Sequence, residues 1–499
     1  MKVLHINNLD LTGQRFNGYN LINNMQDYGI ECSQLVLHKE SNNPKVSQIL
    51  DTNRKRETQA VLEEYAKEQS LQNVLFPWGK QIMESKQFAE ADLVHLHLIH
   101  NNVLSVLDLK NISERKPTVW TWHDPWALTG HCIQPMNCDL WQSGCLKCPH
   151  LDYSLPIEQD TSKEHWNLKK SISKNLDISI IIASKFMEGL CSQSPIAQEY
   201  SRFYRIPFGL DLSFKQNLQS VNPIKSKLGI PSSNTVIFFR CDYGQYKGIT
   251  YIIEALKEIS ESSNITLLTV GETTLPEEIL SRFHTVLLPW QNSETDFYNL
   301  LNCADIFLMP STAEAFGLMA IEAMALGKPV VAFKNTSLEE LISDGNDGLL
   351  ASYKNSHELA ICIKDLINDP EKIQEMGQKG LQKVEEQYSF SKYKKSLADC
   401  YISTFEEWHS RPHAKQTQLV DKSDFSRAAK LLDQYYSINI NQDKASKNKD
   451  IESELNRFVK SHLLRAKKRI FREEIITVLK KLNLLKYAMK IKNLINNQK

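Results

Sequence analysis

Short apolar runs alternating with helix-length segments constrain this chain more than any other feature. "KVLHI", "CSQLVLH", "ADLVHLHLI", "TVWTWH" and "ISIIIAS" are spread over the first two hundred residues, and "NTVIFFR", "ITLLTVG", "HTVLLP", "ADIFLMP" and "KPVVAF" follow after a Pro-, Ser- and Asn-rich stretch at 204–234. Strand-length runs between helical patterns predict βαβ units in mostly parallel sheets, buried on both faces. The chain has 499 residues, and a single hydrophobic core stops growing at roughly 250–300 residues. The pattern therefore predicts an α/β protein with two doubly wound, Rossmann-like domains facing each other across a cleft. Residues 1–207 form the first, residues 208–400 the second, and residues 401–499 a helical extension interrupted by the polar linker "NQDKASKNKD" at 441–450. Ligands of such sheets bind beyond the carboxyl ends of the strands, so the loops after "FFR", "TVG" and "LMP" should carry the chemistry.

Fifty-nine basic residues cancel 59 acidic ones, so no overall charge calls for a nucleic-acid partner. The balance is segregated, however: residues 455–499 hold 13 Lys or Arg against two Glu. Within "FREEIITVLKKLNLLKYAM", Phe471, Ile475, Val478, Leu482, Leu485 and Met489 share one helical face, with Lys480, Lys481, Lys486 and Lys490 off that stripe. A basic amphipathic helix suits peripheral contact with an anionic membrane, at about 1 kcal/mol per nearby Lys or Arg. The same stripe serves equally for a coiled coil or for docking onto the first domain. The first residues carry no signal-peptide pattern, no apolar stretch is long enough to span a bilayer, and six cysteines are scattered singly, so the expected location is cytoplasmic, at most at the inner face of the cell membrane.

"ADIFLMPSTAEAFGLMAIEAMALGKPVVAF" reads as strand, loop, helix, turn, strand, with Ser311 or Thr312 as helix cap and Gly327 and Pro329 closing the helix. Glu314 then faces the cleft at the end of a strand. The N–H groups of Phe316, Gly317 and Leu318 suit a phosphate at a helix start. Glu322 lies about 9 Å further along at 1.5 Å per residue, a span fitting one acid at each end of a nucleotide-sized ligand.

Residues 311–333 resemble the Glu-x7-Glu signature of retaining GT-B glycosyltransferases of the group 1, or family 4, type. "VIFFRCDYGQYKGITYIIEAL" (236–256) is similar to that family's Arg…Lys-Gly segment, "YRIPFGLDLSF" (204–214) to its entry into the second domain, and "SLEELISDGNDGLLA" (337–351) to its closing loop. The resemblance covers roughly residues 1–400. It implies that Glu322 binds ribose hydroxyls, that Glu314 contacts the donor sugar, and that Arg240 and Lys247 neutralise the diphosphate of a UDP- or GDP-sugar. It also places a glycine-rich loop after the first strand, where Gly13 and Gly18 fall, and a sugar-facing histidine at His123, whose tautomer Asp124 is suited to fix. Two departures are visible: seven positions separate Arg240 from Lys247 where the family more often has five, and Phe208-Gly209 replaces an Asn-Gly.

Cys132, Cys138, Cys145 and Cys148 lie within one loop, 131–150. Their spacing suits a tetrahedral structural zinc, and equally an iron–sulfur cluster, free thiols or regulated disulfides. The string "HDPWALTGHC…GC..CP" resembles transferases of the family that build capsule, exopolysaccharide or colanic-acid-type polymers. The expected activity is retaining transfer of a hexose to a glycan or lipid-linked glycan acceptor, with no catalytic cofactor or metal. The competing readings are an epimerase or phosphorylase on the same fold, and a partner subunit that lacks turnover.

Overall fold

The computed structural model describes all residues except 154, 175, 245, 260–263, 272–273, 292, 413–422, 441–450 and 482–499. Two parallel sheets form the body. The first contains β1 (Lys2–Leu9), β2 (Glu31–His38), β3 (Val46–Gln48), β4 (Leu93–Leu96), β5 (Thr118–Thr121), β6 (Ile178–Ile182) and β7 (Phe203–Arg205), in the order β3-β2-β1-β4-β5-β6-β7. The second contains β8 (Thr235–Cys241), β9 (Ile265–Gly271), β10 (His284–Leu288), β11 (Ile306–Met309), β12 (Val330–Phe333) and β13 (Gly348–Ala351), in the order β10-β9-β8-β11-β12-β13. The apolar runs predicted all of these strands but β3, β7 and β13, because helices cover both faces, leaving β4, β5, β6, β11 and β12 buried along their whole lengths.

In both sheets the strand order reverses beside the first strand, between β1 and β4 and between β8 and β11. A crevice opens beyond the carboxyl ends at such a switch point. The helix Phe390–His409 runs across the boundary expected at residue 400 and returns to the first domain. Tyr401 Oη lies 2.7 Å from His95 Nδ1, Thr404 Oγ1 donates to Ser179 Oγ at 2.8 Å, and Trp408 Nε1 donates to Ser113 O at 2.8 Å.

The helical extension packs on the first domain. Helix Ile451–Lys481 lies along helix Asn53–Glu68, and helix Asp424–Ile440 against helix Ser162–Ser173. Leu455, Val459, Ala466 and Ile470, spaced by four, seven and four, form the inward stripe. Arg56–Glu474 at 2.9 Å and Arg469–Glu63 at 3.7 Å flank it. Phe471 of the expected membrane-facing stripe points outward, 64% exposed. Leu482, Leu485, Lys486, Met489 and Lys490 lie outside the described residues, as does the linker 441–450. Among the described residues, no helix is long and apolar enough to cross a membrane.

Candidate functional site

The loops after β8 and β11 meet because a glycine allows it. Gly248 has φ +73°, and a Cβ there would overlap the carbonyl oxygen of Pro310. Thr312 N donates to Tyr246 O at 2.9 Å across the same junction. This contact sets Lys247 Nζ 3.3 Å from Glu314 Oε2, so the lysine on the wider spacing still reaches the first acid of the pair.

The helix carrying the second acid begins later than expected. Gly317, with φ +104°, is the N-cap of helix Leu318–Ala325; Ser311 and Thr312 stay in the loop. A side chain at Gly317 would meet Leu338 Cδ2 at 2.5 Å, so tertiary crowding selects glycine where side-chain capping preference pointed to Ser or Thr. Phe316 is buried, its ring 5.3 Å edge-on from Phe208, which in turn stacks on His123 of the first domain.

Glu322 is completely buried. Its Oε1 accepts from Tyr298 Oη at 3.1 Å and pairs with Arg15, which reaches across from the loop after β1. Arg15 Nε also lies 3.5 Å from Glu294. Among the described residues, Glu322 Oε2 has no hydrogen-bond partner. Leaving a buried polar atom unpaired costs about 1–3 kcal/mol, more for a charged group, so this oxygen is suited to receive a hydroxyl from a ligand. Arg15 and Glu294 stand between two hollows at the domain junction. The larger, about 540 Å³, is lined by Gly13, Arg15, Trp290, Glu294 and Met319. The smaller, about 300 Å³, includes Arg15, Asp211, Tyr298 and Leu318. Arg240 does not line either hollow but stacks on a wall residue of the larger: its guanidinium sits 4.8 Å from the Trp290 ring and 2.6 Å from Asp242, so a carboxylate already engages the cation expected at the diphosphate.

In the first domain His123 Nε2 lies 3.1 Å from His97 Nδ1. Its ring is flanked by Phe16 at 5.1 Å and by Phe208, nearly parallel, at 5.6 Å. Burial lowers the imidazole pKa to about 3, so it is neutral at ordinary pH. Asp124 does not fix its tautomer as expected: one oxygen caps Trp126 N at 2.9 Å and the other pairs with His100 Nε2 at 3.2 Å. Burial raises the Asp124 pKa, but the His100 pair and these hydrogen bonds outweigh it and leave the carboxyl below its usual range.

Cys132, Cys138, Cys145 and Cys148 are free thiols. No three of their sulfurs come within 4.8 Å of one another as placed. Cys148 Sγ sits 3.3 Å from His131 Nε2, and Cys145 Sγ accepts from Gly130 N at 3.3 Å. Burial raises the pKa values of Cys132 and Cys145 to about 11 and about 12. Lys169, buried, anchors the loop: its Nζ donates to Trp126 O at 2.7 Å and Thr129 O at 2.9 Å.

Sequence reasoning missed Arg15, Trp290, Tyr298 and His97. Arg15 is the single charged side chain between Thr12 and Met25, a signal that was available. Trp290 and Tyr298 read as ordinary residues of a loop and an amphipathic helix.

Residues 220–383, about a third of the chain, match the family model of group 1 glycosyl transferases. An Escherichia coli K12 protein named as a colanic acid biosynthesis glycosyl transferase is 24% identical over 266 residues, covering 50% of this chain and 62% of that protein. An uncharacterised 41.2 kDa protein from the cps region of Klebsiella pneumoniae is 28% identical over 289 residues, covering 56% and 70%. The chain spans less than two thirds of the first three curated relatives, at 62%, 59% and 38% of their lengths. Anabaena HepE, solved with UDP and glucose, superposes with a TM-score of 0.56 at 18% identity, covering 81% of this chain and all of that one. The chain has the two-domain GT-B fold, and its second domain is similar to the group 1 glycosyl transferases.

Proposed function

We propose that this chain is a retaining glycosyltransferase that moves a hexose from a nucleoside-diphosphate sugar to a glycan or lipid-linked glycan acceptor in cell-surface polysaccharide synthesis. The observation that carries the reading is the unpaired, buried Oε2 of Glu322 at the junction of the two domains. A ribose hydroxyl would satisfy it. Lys247, Arg240 and the first N–H groups of helix Leu318–Ala325 would then hold the diphosphate. Their positive charge stabilises the negative charge that develops on the leaving group. Glu314, held beside Lys247, would take a sugar hydroxyl. With the leaving phosphate accepting the acceptor's proton, front-face attack needs no carboxylate nucleophile. UDP and UDP-glucose bound to HepE support a uridine donor, and the colanic-acid relative supports a surface-polymer acceptor.

The outward face of helix Ile451–Lys481 supports membrane contact. Leu464 and Phe471 are exposed there, with Lys460, Lys467 and Lys468 exposed around them.

The test incubates the full chain with UDP- and GDP-sugars and lipid extract and follows both released nucleoside diphosphate and glycosylated product. Acceptor-dependent release that Glu322→Ala and Glu314→Ala each reduce at least tenfold is expected. Release independent of acceptor would favour an epimerase or phosphorylase, and no release would favour a subunit without turnover.

A further inference from the structure

Three imidazoles form an unbroken chain inside the first domain. His5 Nδ1 lies 3.0 Å from His97 Nε2, and His97 Nδ1 lies 3.1 Å from His123 Nε2. His5 and His97 are fully buried, on β1 and just after β4. Gly18, with φ +92°, covers the His5–His97 bond; a Cβ there would overlap His5 Nδ1 and come within 3.0 Å of His97 Nε2. The neighbouring His95 stacks on His97 at 4.1 Å but is not in the chain, since Tyr401 Oη and Thr121 Oγ1 occupy its two nitrogens, each at 2.7 Å.

A neutral imidazole carries one N–H and one lone pair, so a chain of three has two polarities. At one end, His5 Nε2 is buried with no partner. If it carried the proton, the chain would bury an orphaned N–H, which native structures avoid more strongly than an under-used acceptor. With the proton on Nδ1 instead, His5 donates to His97 Nε2, His97 Nδ1 donates to His123 Nε2, and the third proton falls on His123 Nδ1.

We propose that His5 and His97 are positioning residues that hold His123 in the Nδ1–H tautomer, so that it meets substrate as a hydrogen-bond donor and not as a base. Burial keeps the chain neutral, with His5 and His123 lowered to about 3 and His97 well below its usual value. A donor at this point orients a sugar or acceptor oxygen and leaves the acceptor's proton to the departing phosphate. This deepens the transferase reading and rests on it for the identity of the substrate.

The experiment is a two-bond 1H–15N spectrum of the full chain, labelled at its histidine ring nitrogens and recorded at neutral pH without nucleotide. The expected result is the Nδ1–H pattern for His5, His97 and His123. An Nε2–H pattern, or tautomer averaging, at His123 would overturn the proposal. His97→Phe keeps a stacked ring and removes both bonds; it should shift His123 away from pure Nδ1–H, and an unchanged His123 signal would also overturn it. Should that variant not fold, the wild-type spectrum decides alone. No nucleotide enters the measurement, so a protein that binds no nucleoside diphosphate yet shows this tautomer separates failure of the transferase reading from failure of the relay.

Discussion

Arg15 closes one side of the buried Glu322 carboxylate. Its guanidinium takes the one oxygen of Glu322 that also binds Tyr298 and, with Glu294, stands between the two hollows of the crevice. Arg15→Ala should lower the stability of the nucleotide-free protein by about 1–3 kcal/mol, because it strips a buried carboxylate of a partner. Differential scanning fluorimetry of the two proteins reads this loss. Gly248→Ala tests the loop junction: overlap with Pro310 O and a left-handed backbone should cost at least 2 kcal/mol or so in urea unfolding. At this scale the two acids were legible because their spacing is local. Their partners were not, because Arg15 and Glu322 are 307 positions apart and no local pattern joins them.

Strands were legible where an apolar run is buried on both faces, even at four residues, as in β4, β5, β11 and β12. β3 and β7 have three residues each and are only partly buried, too short to show a periodicity. Of the histidines of β1 and β4 and those just after β4 and β5, the sequence pattern marked His123 alone, and only the parallel register, with His5 opposite His95, brings them together. This gives the domain an acid-labile element. Burial lowers the folded-state pKa of His5, His95, His97 and His123. Groups with depressed folded-state pKa values contribute stability that is complete above the unfolded value of about 6.5 and is lost as pH falls toward the folded values. Each such imidazole should cost about 1.4 kcal/mol one pH unit below 6.5. Urea midpoints should therefore fall steeply from pH 7 to pH 5, and His5→Phe should reduce the slope; a flat profile would show that these rings are not held neutral.

At the scale of the whole molecule, sequence gave two domains, a crevice and a helical extension, but it left open what the extension touches. The docked stripe at Leu455, Val459, Ala466 and Ile470 belongs to the first domain's core, and the face that turns outward carries Leu464 and Phe471 among lysines. Full-length protein should therefore sediment with vesicles rich in anionic lipid and not with neutral ones, and Leu464→Glu with Phe471→Glu should abolish this without altering the thermal midpoint. Equal sedimentation of the variant would remove the membrane role.

The account depends on the crevice holding a nucleoside diphosphate through Glu322. Calorimetric titration of the full chain and of Glu322→Ala with UDP and with GDP tests this most directly. The prediction is one saturable site for at least one of the two nucleotides, weakened tenfold or more in the variant, a loss of about 1.4 kcal/mol. Binding of neither nucleotide, or equal affinity in both proteins, would contradict it.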